Sequence, residues 1–251
     1  MAESDAPRTT DLAGDLPPEQ HVDHEHPDVT GGWLRPAVFG AMDGLVSNFA
    51  LIAGVVGGTN GEASKAVVLA GLAGLAAGAF SMAAGEYTSV ASQAEYTERE
   101  IEVERLEIIA KPRAEQAELA QMYVDRGIDR DLADKIAAQV HADPELAVEV
   151  HAREELGVDP GNLPSPVVAA VSSFVSFAVG ASLPVLPYLL GADTLWPALV
   201  ISLVALFACG AIVSQVTVRT WWFGGIRQMV LGGLAAAITF FIGDLVGASL
   251  G

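Results

Sequence analysis

The chain has 251 residues, of which 51% are hydrophobic, and its 31 acids against 13 bases give a formal net charge of −18. A mean hydropathy of +0.41 fits that charge only if apolar and charged residues occupy separate stretches. The acidity excludes a nucleic-acid-binding surface, and the single cysteine, Cys209, excludes an intrachain disulfide or a cysteine-based metal site within one chain.

Residues 1–32 hold eight acids and one base, Arg8. Rich in Pro, Asp, Glu and His, they are expected to form a disordered acidic tail, because they bury too little apolar surface to order themselves. They lack the charged-then-apolar pattern of a signal peptide. His21, His24 and His26 lie among Asp23, Glu25 and Asp28, either as a weak metal lure or as a plain polar stretch.

Residues 33–92 read as two membrane spans. Leu34–Gly57 is apolar apart from Arg35 at its start and Asp43, Ser47 and Asn48 within it, and at about 1.5 Å per residue it can cross a hydrocarbon core of about 30 Å. A turn over Thr59–Ser64 leads to Ala66–Ser92, rich in Ala and Gly, which permit close helix approach in lipid. Residues 93–165 hold eighteen acids and eight bases and read as a water-facing helical insert. Gln93–Ala110 is its first helix. Pro112 opens a second that Gly127 ends, Asp129 caps a third running to about His141, and Asp143-Pro144 starts a fourth that Gly157 ends. Residues 166–251 return to the membrane as Val167–Leu190, Leu195–Val218 and Ile226–Leu250, with VRTWWFGGIR as the last loop. The fold class is therefore all-α: five spans with a helical domain inserted between spans two and three.

The positive-inside rule orients the chain. With the N-terminus in the cytosol, Arg35, the insert, Arg219 and Arg227 face inward, Lys65 is the only base outside, and the C-terminus is outside. Trp33, Trp196, Trp221 and Trp222 fall at span ends, as an interfacial belt requires.

Asp43 lies about 13.5 Å into span one. An ionisable group at that depth is costly and faces a cavity or a partner; the competing role is a helix-packing carboxylate. In span two, Met82 and Glu86 are four apart and share a helix face. Met82 falls near the level of Asp43, and a carboxylate with a thioether suits a first-row transition metal. Taken alone, Met82 reads as packing filler and Glu86 as an acid snorkelling to the interface. In the insert, Glu104 and Glu107, then Glu115 and Glu118, form two pairs across the Pro112 break, while His151 and Glu155 share a face of the fourth helix. Such a set suits Fe²⁺, Mn²⁺ or Zn²⁺. Because Arg105, Lys111 and Arg113 are interleaved, a solvated, salt-bridged surface competes with the metal site. Asp244 in span five is either a proton relay or an interfacial acid.

GAMDGLVSNFALIAGVVGG (40–58), GAFSMAAGEYTSVASQAE (78–95) and EELG (154–157), in this order, resemble the vacuolar iron transporter family over about residues 34–251. The resemblance implies five spans, a homodimeric pore and a cytosolic metal-binding domain. It further implies export of Fe²⁺, and often Mn²⁺, from the cytosol in exchange for protons. On it, Asp43 and Met82 match pore residues; Glu86, on the Met82 face, is our own expected pore residue and proton acceptor beside them. Glu104, Glu107, Glu115, Glu118 and Glu155 match the carboxylates of the metal domain. Where some eukaryotic members have two methionines, this chain has His151, which can ligate, and Ala152, which cannot. The expected partners are membrane lipid, protons, divalent ions (Co²⁺ and Ni²⁺ included) and a second copy of the chain, with no nucleic acid and no enzymatic activity. The absence of targeting features suits a bacterial-type member in a plasma membrane. The alternative is a membrane-anchored iron-binding or iron-oxidising store, but ferritin-like sites use Glu-x-x-His pairs and the sequence contains none.

Overall fold

The computed structural model describes residues 32–59, 64–215 and 219–250. The histidine-bearing tail and most of the Thr59–Ser64 turn lie outside the described residues. Eight helices follow in order: α1 (Leu34–Gly58), α2 (Ser64–Ala110), α3 (Pro112–Asp125), α4 (Arg130–Val140), α5 (Pro144–Glu155), α6 (Pro166–Leu189), α7 (Leu195–Gln215) and α8 (Trp221–Leu250). No strand occurs among the described residues. Five helices, α1, α2, α6, α7 and α8, are long and apolar enough to span a membrane. The fold is the all-α, five-span arrangement expected from the sequence.

α1 is the central span and packs against each of the other four. It runs parallel to α6 and α8 and antiparallel to α2. At its start, the Ser172 hydroxyl of α6 donates to the Trp33 carbonyl at 2.8 Å. At its end, Gly54 and Gly58 meet Gly243 and Gly247 of α8 so closely that a β-carbon on Gly243 would strike the Gly54 carbonyl oxygen. In lipid, where apolar burial gives no drive between helices, such backbone contact supplies the packing energy. Leu45, Phe49 and Ala53 of α1 form the membrane core with Leu206 and Ala236.

Two boundaries differ from those expected. The second span and the first helix of the insert are one helix, the 47-residue α2. No Gly or Pro occurs from Glu86 to Lys111, and the Glu, Gln, Ala, Arg and Leu there favour helix. At about 1.5 Å per residue α2 is about 70 Å long, more than twice the hydrocarbon thickness of about 30 Å. It stops where Pro112 drives Lys111 out of the helical region (φ −135°, ψ 48°). The second difference is Trp221–Gly225, expected as loop but forming the first turn of α8. Gly224 is there because its backbone lies against Gly210 of α7, where a side chain would collide.

The insert ends its helices as expected. Asp129 and Asp143 cap α4 and α5 by accepting from Asp131 N and Glu145 N, each at 3.0 Å. Gly127 and Gly157 end α3 and α5 with positive φ. Leu119, Ala120, Ala133 and Ala137 pack α3 on α4, and Ile108, Ala147 and Val148 pack α5 on the far half of α2.

Candidate functional site

Two places gather the candidate residues. The first is inside the insert, where Glu104 of α2, Glu115 of the first turn of α3 and His151 of α5 bring ligand atoms within 4.8 Å of one another. Among the described residues this is the one such convergence of three His, Cys, Asp or Glu side chains. His151 is fully buried, and its Nδ1 lies 2.7 Å from Glu155 Oε1 and 2.9 Å from Glu104 Oε1. Only the Glu155 contact has hydrogen-bond geometry, since one ring N–H serves one acceptor. The buried Oε1 of Glu104 is thus without a hydrogen-bond partner. The sequence reading missed His141, at the end of α4, whose Nε2 lies 3.1 Å from Nε2 of His151. Its proximity comes from how α4 and α5 fold back, which no local pattern encodes.

The interleaved bases separate the outer acids of the insert from the inner ones. Arg105 pairs with Glu145 and Glu102, Lys111 with Glu107, and Arg126 with Glu154, all toward the outside. The outer acids form the salt-bridged surface, and such pairs contribute little. Among the described residues, the inner carboxylates have no arginine or lysine partner. Burial, then the like charge of Glu155, pushes Glu104 up to about 7, partly offset by His151. Burial also raises Glu115, helped by Glu118 and Glu107. Burial and then His151 lower His141. Carboxylates held together without a counter-charge either take up protons or accept a divalent cation. Glu118 is exposed and Glu107 half-buried and paired with Lys111, so the structure places these two beside the cluster, within electrostatic range but outside its convergent core.

With a cation on Nδ1 of His151 in place of the proton shared with Glu155, His151 would carry its N–H on Nε2, where neutral His141 can accept it. Replacing His141 by Phe is therefore expected to weaken Mn²⁺ binding to the detergent-solubilised chain by about tenfold, at the lower end for outer-shell partners. Titration calorimetry measures this; an unchanged affinity would assign His141 to packing alone.

The second place is a cavity of about 270 Å³ in the membrane part, lined by Asp43, Ser47 and Asn48 of α1, Ser81 and Met82 of α2, and Phe177 of α6. Gly74 and Gly78 complete its wall; a β-carbon on Gly78 would enter the Phe177 ring. Asp43 and Met82 thus share one cavity, as their depths along the two spans predict. Glu86 is not in the lining; it is half-buried one turn further toward the insert on the same helix. Asp244 is exposed on α8. The amide of Asn48 and the hydroxyl of Ser47, read from the sequence only as interruptions of an apolar run, and the hydroxyl of Ser81 add polar atoms to the lining.

A family model described as the VIT family matches residues 34–244. Among curated proteins, the chain is 36% identical over 243 residues to the "Vacuolar iron transporter" of Acanthamoeba castellanii, covering 94% of this chain and 87% of that one. It is 30% identical to "Vacuolar iron transporter 1" of Oryza sativa, over 88% of this chain and 89% of the relative. It is 32% identical to "Vacuolar iron transporter 1" of Arabidopsis thaliana, over 86% and 87%. With the match running through all five spans and the insert, the chain belongs to the VIT family, whose members are transporters and not enzymes.

Proposed function

We propose that the protein transports Fe²⁺ and Mn²⁺ out of the cytosol in exchange for protons, as a homodimer in a bacterial plasma membrane. One observation carries this reading: the buried, uncompensated Glu104–Glu115–His151 cluster and the Asp43–Met82 cavity are both built on α2. The cluster gathers the cation on the cytosolic side, and the cavity holds it within the bilayer. The starts of α1 and α6 lie together, which supports a tail and insert on one side, and the joined ends of α1 and α8 support a C-terminus on the other. Metal and proton compete for the same carboxylates, and that competition provides the exchange. Glu86, between cavity and cluster along α2, is suited to take up the returning proton. The relatives' names, which specify iron, agree with this reading.

Proteoliposomes containing a metal-sensing dye test it. The side bearing the insert is the entry side for Fe²⁺ and Mn²⁺, and uptake is expected to make the opposite compartment more alkaline as protons leave it. Collapse of a pH gradient that drives protons toward the insert side is expected to slow uptake severalfold. Uptake indifferent to that gradient would exclude proton exchange.

A further inference from the structure

Asn48 is 2% exposed in the middle of α1. Its side-chain nitrogen donates to the Gly71 carbonyl of α2 at 3.1 Å and to the Ala181 carbonyl of α6 at 2.6 Å. A primary amide has two N–H groups, and both are committed here. This fixes the orientation of the amide, because the reverse would set its oxygen against two carbonyl oxygens. Oδ1 is left buried with no hydrogen-bond partner. An unpaired buried acceptor is costly, and a ligand on this oxygen would satisfy it. Oδ1 is turned toward Gly74, where a β-carbon would sit 3.0 Å from it. Asn48 and Gly74 both line the cavity that holds Asp43 and Met82. The glycine leaves no β-carbon against the oxygen.

We propose that Asn48 Oδ1 is a fixed, neutral oxygen ligand for the cation held by Asp43 and Met82, and that it biases the site toward oxygen-preferring ions. This inference rests on the pore reading above. A carboxylate and a thioether alone make a mixed hard and soft pair; a second hard oxygen, rigidly aimed by α2 and α6, favours Mn²⁺ over softer ions. Because the amide is neutral, it strengthens coordination without adding a charge that would hold the ion too tightly to leave.

Two variants separate this role from that of a helix clamp. Asn48→Leu removes both donor and acceptor. Gly74→Ala leaves the two donated bonds intact and places a methyl group before Oδ1, with only that oxygen and the mobile end of Leu51 in its way. Both are expected to raise the KM for Mn²⁺ by about tenfold and that for Co²⁺ by about threefold or less, with the kcat ratio of the two ions little changed. Folding is checked by gel filtration and melting in detergent; if Asn48→Leu does not fold, Gly74→Ala decides. Wild-type KM values for both ions in Gly74→Ala would overturn the proposal and leave Asn48 as a clamp whose oxygen meets water. Asp43→Ala in the same assay keeps the two readings apart. If it transports normally, the pore assignment fails; if it is inactive while Gly74→Ala keeps the wild-type ion preference, only the Asn48 inference fails.

Discussion

Replacing Asp43 by Ala is expected to lower transport of Fe²⁺ and Mn²⁺ by about 100-fold or more, with the chain still folded. The size follows from its surroundings. Asp43 is the one carboxylate in the lining of the membrane cavity, and a dehydrated cation without its counter-charge loses about 3 kcal/mol or more, which is about 100-fold. Asp43→Asn keeps the shape and one oxygen, so a residual rate above that of the alanine variant is expected. Asp244→Asn is the control, because that residue is exposed on α8 and outside the cavity lining. Dye-loaded proteoliposomes give all three rates. Asp43→Ala at the wild-type rate would remove the cavity from the ion path.

Glu104→Gln is expected to stabilise the metal-free protein at pH 8 while abolishing most of the stabilisation by Mn²⁺. Glu104 holds its proton to about 7 in the folded insert, against an ordinary value of 4.5. Between those two values the folded chain binds more protons than the unfolded chain, so stability falls as pH rises through that window. Above it, the folded insert carries a buried charge that the unfolded chain leaves in water, and glutamine removes that burden. Metal binding reverses the effect, because the cation needs the ionised carboxylate and stabilises the folded form by mass action. Loss of this ligand is expected to weaken Mn²⁺ binding by at least the 10–100-fold, roughly, of an outer-shell change. Melting curves at pH 5 and pH 8, with and without Mn²⁺, check both halves. If glutamine lowers the metal-free melting point at pH 8, Glu104 has a stabilising partner and not an uncompensated charge.

Much of this molecule is legible in the sequence because lipid and water impose opposite compositions. The five apolar runs, Pro112, the Asp129 and Asp143 caps and the Gly127 and Gly157 stops are each local signals, and each appears in the fold. Asp43 and Met82 could be paired from depth alone, since a helix converts residue number into distance. The errors arise where tertiary contact overrides a local sign. Gly224 and Gly225 read as loop but admit α7. The polar stretch after Ser92 read as a new element, although change of solvent does not interrupt a helix. His141 and the orphaned oxygen of Asn48 depend on helices that meet only after folding, and no spacing rule reaches that far. The glutamate pairs show both effects. Spacing identifies all four, while helix phase turns Glu104 and Glu115 inward and leaves Glu118 at the surface.

The uninterrupted α2 also has a mechanical meaning. Met82 and Glu104 are separated by 22 residues of the same helix, about 33 Å along its axis. A rod of that length is a lever: a tilt of about 5° at the membrane end would carry Glu104 sideways by about 3 Å. Because Ile108 of α2 packs on Ala147 and Val148 of α5, such a rocking carries His151 along with Glu104 and swings the cluster as one body. The place of the cluster over the membrane is thus set by the tilt of the same span that lines the cavity.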